Sequence, residues 1–171
     1  MVTTILVLVP AVKDPLLAWI SLGDEPGVAP ASIERVRALL NTDDRFHGVE
    51  HLGDDVPREV VGVRDALRRY LVDDDTAALD ALAAAHPLVV AFGDPTRLAP
   101  ADPADPVAGL LGEVFEAQRD GVWQRLKACA NPDCQWVYYD ASRNRSGRWC
   151  SMGECGDVMK ARAYRERGRR A

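Results

Sequence analysis

Apolar residues recur along this chain at two periods, and the switches between them mark out its elements. Residues 2–9 form an apolar, β-branched run closed by Pro10, the pattern of a buried strand. Residues 15–22 predict a short helix stopped by Gly23. After Ser32, a good N-cap, Ile33, Val36, Leu39 and Leu40 fall at helical spacing up to Asn41. Asp55 and Pro57 make a cap and first turn for a helix over 57–72, with Val60, Val63, Leu67 and Leu71 on one face and Arg64, Arg68 and Arg69 on the other. Asp73, Asp74 and Asp75 place negative charge at the start of a further helix over 76–85. Residues 88–92 read as a strand, with a turn at Gly93-Asp94-Pro95 and Arg97-Leu98 returning as its partner. The proline-rich stretch 99–106 predicts a linker or long loop. From Val107, the positions Leu110, Leu111, Val114, Phe115, Gln118, Val122 and Leu126 trace one face of a helix that runs almost to Cys129, kinked at Gly121.

The pattern therefore describes a mainly helical α+β body with one small sheet. At 171 residues, 47% hydrophobic and 27% charged, the chain is long enough to bury a core, and no apolar run approaches the ~18 residues of a membrane span. A soluble, cytoplasmic protein is the expectation. The net charge of −5 hides a division: residues 1–120 hold 10 Lys+Arg against 21 Asp+Glu, a net of −11, and residues 121–171 hold 11 against 5, a net of +6. A basic tail on an acidic body points to an anionic partner, or to pairing of the tail with the body or with a second copy of the chain.

The tail also holds all four cysteines. Cys129, Cys134, Cys150 and Cys155 fall in two C-x4-C pairs separated by fifteen residues. Asn131, Pro132 and Asp133 in the first pair, and Gly153 in the second with Gly156 after it, are residue types that close tight turns. Two such turns can deliver four sulfurs to one tetrahedral zinc ion; a reducing cytosol argues against two disulfides. Gln135 to Tyr139 reads as a strand, 140–147 as a polar return towards Arg148-Trp149-Cys150, and the chain from Val158 onward as a helix. Knuckle, hairpin, knuckle and helix describe a treble-clef-like module with one structural zinc.

From Leu126-Lys127-Ala128-Cys129 through Asp140-Ala141-Ser142-Arg143-Asn144-Arg145 to Cys155-Gly156, this stretch resembles the CGNR zinc finger, a bacterial family named for a Cys-Gly-Asn-Arg tetrad. The resemblance implies a finger at 126–171 behind an ABATE-like regulatory domain at 1–125, in which Leu40-Asn41-Thr42 is similar to an Asn-Thr signature, and it implies a stress-response transcription regulator. The chain departs from the family twice: Asp157-Val158 stands where the tetrad has Asn-Arg, and Gly147 stands where an arginine is usual.

Function follows from the cations. Arg143, Asn144, Arg145 and Arg148 fall on the polar loop, and Lys160, Arg162, Arg165 and Arg169 on the final helix, where 162, 165 and 169 share a face. Several cations acting together suit the phosphates of duplex DNA, while Arg143 and Asn144 can bond base edges bidentately. The first function reading is a nucleic-acid-binding regulator. The second is a protein-interaction adaptor in which Trp136, Tyr138, Tyr139, Trp149 and Tyr164 form the interface. An enzyme is not expected: the sequence has no Gly-rich phosphate loop, and His47-Gly48-Val49-Glu50-His51, a match to a zinc-peptidase pattern, carries a glycine where that chemistry needs a stable helix.

Overall fold

The structure, a computed structural model, describes residues 27–54 and 56–170; the strand expected at 2–9, the helix at 15–22 and the cap at Asp55 lie outside the described residues. Helix α1 (Ala31–Asn41) buries Ile33, Val36, Leu39 and Leu40 completely, at the spacing the sequence displays. It starts before Ser32, because Pro30 takes the N-cap position and its carbonyl accepts from Ile33 and Glu34 N–H at 2.9 Å. The Glu34 carboxylate returns to the Ala29 N–H at 2.8 Å and fixes the entry of the chain.

Helix α2 (Arg58–Asp73) packs Val60, Val63 and Leu67 into the same core. Arg64 and Arg68, expected on its outer side, are buried instead. The cause lies at the end of α1, where terminal carbonyls have no helical partner. Arg68 donates to the carbonyls of Leu40, of Asp43 at 3.2 Å and of Gln135 at 2.9 Å, and Arg64 reaches Thr42 Oγ1 at 3.2 Å and Glu50 at 2.7 Å. Between the two helices lies the small hairpin of β1 (Asp43–Asp44) and β2 (Val49–Glu50). Helix α3 (Ala77–Ala85) lays Leu79 and Leu82 against the core.

Strands β3 (Leu88–Ala91) and β4 (Arg97–Pro100) form a second antiparallel hairpin in the register Leu88↔Pro100. The proline-rich stretch is thus not a linker. Ala99 and Pro100 complete β4, and Asp105 caps helix α4 (Pro106–Arg119), its Oδ1 accepting from Val107 N–H at 2.9 Å and Ala108 N–H at 3.1 Å. Pro106 occupies the first helical position, where a missing N–H costs nothing.

Helix α4 ends well short of Leu126. Gly121, at φ +71°, takes the left-handed conformation after the last turn, and its N–H reaches Gln118 O at 3.1 Å while Val122 N–H reaches Ala117 O at 2.8 Å. That paired closure terminates a helix instead of kinking it. After one tight turn at Trp123–Arg125, β5 (Leu126–Ala128) pairs antiparallel with β6 (Val137–Tyr139), Leu126 opposite Tyr139. The expected pairing of β6 with 148–150 does not form. Helix α5 (Asp157–Arg170) closes the described chain. The architecture is α+β, and the described residues hold three two-stranded antiparallel sheets, two of them in the body where the sequence suggested one. Trp123, Leu126 and Val137 belong to the cluster built by α1, α2 and α4, so the body's core continues into the β5–β6 hairpin. Among the described residues no helix is long and apolar enough to cross a membrane.

Candidate metal centre and nucleic-acid face

The β5–β6 hairpin carries the first knuckle in its connection, 129–134. Cys129 N–H donates to Trp136 O at 2.8 Å, and the Asn131 carbonyl accepts from Cys134 N–H at 2.9 Å and from Gln135 N–H at 3.1 Å. Gln135 completes the turn at φ +50°. The second knuckle is a helical turn of wide pitch, Met152–Gly156, whose Cys155 leads directly into α5. These two turns bring the four sulfurs within 4.8 Å of one another, Cys134 to Cys150 and Cys150 to Cys155 at 3.8 Å. Four sulfurs at 2.3 Å from one ion would sit about 3.8 Å apart, whereas a disulfide would need about 2.05 Å. All four cysteines are free thiols. The donor set fits one structural zinc ion.

The surroundings fit it too. Burial pushes the Cys134 thiol up to about 12 and lifts Cys150 well above its ordinary value, with the neighbouring sulfurs adding to the effect. At Cys155 burial acts upward, but the Asn131 carboxamide, 3.5 Å from Sγ, and the other sulfurs outweigh it and hold the thiol low. Thiolates crowded in a buried place require a cation, and a divalent ion supplies that charge. Trp136 and Trp149 cover the cluster. A Cβ at Gly156 would stand 2.7 Å from Met152 Sδ and 3.1 Å from Trp149 Cδ1, so glycine after the last cysteine lets this cover close.

Loop 140–147, which bears the candidate base-reading residues, is shaped from inside. Asp140 is buried and pairs with Lys127 Nζ at 2.6 Å, while its oxygens accept from Ser142 N–H at 3.0 Å and Gly147 N–H at 2.8 Å. Burial would raise its pKa, yet the Lys127 ammonium and these donors hold it far below the usual carboxylate range. Lys127 also donates to the carbonyls of Arg145 and Gly147, and Arg125 to those of Asp140 and Ser142. Lys127 therefore serves the loop.

Arg143, Asn144 and Arg145 stand exposed on that loop, Arg145 at φ +49°, and the Arg148 guanidinium lies 5.1 Å from the Trp149 ring centre. On α5, Arg165 and Arg169 are exposed. Arg162 shares their face as its spacing predicts, but pairs with Asp133 of the first knuckle at 2.8 Å; Lys160 pairs with Asp157 at 3.3 Å. These two cations have exposed carboxylate partners within the finger, while Arg143, Arg145, Arg148, Arg165 and Arg169 have no ion-pair partner among the described residues. Cys150 follows the loop and Cys155 precedes the helix, so the cluster holds both cationic elements at its edge. Of the aromatic residues, Tyr138 is buried and Tyr164 is 73% exposed. The histidine pattern does not assemble: Gly48 takes φ +67°, Val49–Glu50 is strand, His47 pairs with Asp44 at 2.8 Å and Glu50 with Arg64.

Sequence reasoning missed the residues that seat the finger on the body. The Asn41 carboxamide makes two bonds to Val137, Nδ2 to its carbonyl at 2.9 Å and Oδ1 from its N–H at 2.8 Å. Tyr139 N–H adds a bond to Gly27 O at 2.8 Å. The Asn-Thr pair at 41–42 was a signal in the sequence, but without the partner strand it had no physical reading. No curated protein matches the chain. Residues 125–168 match the CGNR zinc finger family, so over this stretch the chain is similar to that finger and carries a four-cysteine site for one structural zinc.

Proposed function

We propose that this protein is a zinc-containing transcription regulator that binds duplex DNA through a treble-clef-like finger at 126–171, under an ABATE-like regulatory body at 1–125 and in the cytoplasm. One observation carries the reading: exposed arginines on loop 140–147 and on α5, without ion-pair partners among the described residues, flank a four-cysteine cluster that ties loop and helix together. Phosphates gain most from cations that act as a group. Residues 1–120, with their net of −11, would be repelled by the same polymer and leave residues 121–171, net +6, as the contacting part. The stress-response role rests on the resemblance alone.

A second reading, a protein-interaction adaptor, has Tyr164 in its favour, an aromatic side chain on α5 that takes no part in the cover of the cluster. Capture of nucleic acid from a lysate by the zinc-loaded chain, followed by washing at low and high salt and sequencing of what is recovered, separates the two. Duplex fragments that elute as salt rises support the regulator; recovery of protein alone, independent of salt, supports the adaptor and contradicts DNA binding.

A further inference from the structure

Between finger and body lies a cavity of about 430 Å³, within the range of small-molecule sites. Its walls come from both parts of the chain: Phe46 and Asp44 from the β1–β2 hairpin, Trp136 and Tyr138 from β6 and the residues before it, and Glu154 and Val158 from the second knuckle and α5. Two of these are apolar and open to the space. Phe46 is 55% and Val158 is 42% exposed. Val158 also stands where the finger family has arginine, so this chain has replaced a charge with an apolar surface at the rim of this cavity.

The charge around the space has a sign. Asp44 and Glu154 line it, as does His47, whose backbone N–H donates to Asp44 Oδ1 at 3.1 Å and whose Nδ1 lies 2.8 Å from Asp44 Oδ2, and Cys134, Cys150 and Cys155 bring one side of the cluster, a tetrathiolate that stays net negative with zinc bound. Arg37 lines it as well, but Glu34 holds its guanidinium through Nε at 2.7 Å and Nη2 at 2.5 Å, so that cation is already neutralised. Aromatic faces are also negative, and attract a cation placed over them.

We propose that this cavity binds a small organic cation, an amine on an aromatic or aliphatic body, whose apolar part lies against Phe46, Trp136, Tyr138 and Val158 and whose charge meets Asp44 and Glu154. Because the walls come from finger and body together, the ligand stabilises the junction between them. The site is independent of DNA binding, and either reading can fail without the other.

The test uses zinc-loaded full-length chain at pH 8. 2-Phenylethylamine is titrated and followed by amide NMR, with phenylacetate as the charge-inverted probe. The expected result is saturable shifts at Gly27, Ser151 and Val158, a Kd in the millimolar range typical of a ligand of about ten heavy atoms, and at least tenfold weaker binding of phenylacetate. Val158→Arg, which restores the family residue, and the exposed Phe46→Ala should each weaken phenylethylamine at least fivefold. Absence of saturable shifts at these residues overturns the site. Equal binding of the two probes overturns the cation, and unchanged binding in both variants places the probe elsewhere and overturns the site as well.

Discussion

Asp140 and Gly147 show how a single pair of positions sets the shape of the candidate DNA-reading loop. A Cβ at Gly147 would lie 2.9 Å from Asp140 Oδ2 and 3.0 Å from its Cγ. That carboxylate cannot swing aside, because Lys127 and two backbone N–H groups hold it. Arginine at 147, the family residue, therefore does not simply add a phosphate contact here. Gly147→Ala and Gly147→Arg should each destabilise the zinc-loaded chain by about 1–3 kcal/mol in denaturant unfolding, the scale of overpacking; an unchanged midpoint would mean that the loop gives way. The Asp140 carboxyl has its folded pKa depressed, so its contribution is fully present above the unfolded carboxylate value near ~4 and is lost as pH falls towards the folded value. The stability advantage of the native chain over Asp140→Asn should accordingly be constant from pH 7 to 5 and shrink below pH 4. The cysteine spacing made the metal centre legible from sequence. The clamp was not legible, because Lys127, Asp140 and Gly147 are ordinary surface types whose pairing exists only once the loop is folded.

At the scale of elements, the informative failure is α4. Val122 and Leu126 continue its apolar spacing by coincidence, and Gly121 was the truer signal, a helix terminator at φ +71°. Three-residue strands such as β5 and β6 carry too few positions to display a period, so their pairing across the first knuckle was invisible. That hairpin now appears as the joint of the molecule. Asn41 gives it two buried hydrogen bonds from the end of α1, and Arg68 adds a third contact at Gln135. Asn41→Ala leaves a buried N–H and carbonyl of Val137 unpaired and should cost about 3 kcal/mol. Amide hydrogen exchange is the check: protection at Val137 should fall sharply while that of α2 changes little, and equal loss everywhere would mean that Asn41 acts on the whole core. For the finger itself, Cys134→Ser should abolish stoichiometric zinc in elemental analysis and unprotect 129–156, since a segment this short lacks an apolar core of its own.

For the whole molecule, the division of charge was plain in the sequence, but which cations face outward was not. Arg162 and Lys160 are engaged by Asp133 and Asp157 in ion pairs on the finger's surface, Arg64 by the Thr42 hydroxyl and the Glu50 carboxylate, and Arg68 by the carbonyls of Leu40, Asp43 and Gln135. The loop and α5 arginines remain exposed, on two elements that the cysteine cluster joins. The most direct measurement of that claim is fluorescence anisotropy of the zinc-loaded full chain on a mixed-sequence duplex across a salt series. Four to five phosphate contacts should give a slope of log affinity against log salt of about −4, reduced by close to one unit in Arg165→Ala and again in Arg143→Ala. A slope near zero, or one that neither substitution moves, would contradict the account.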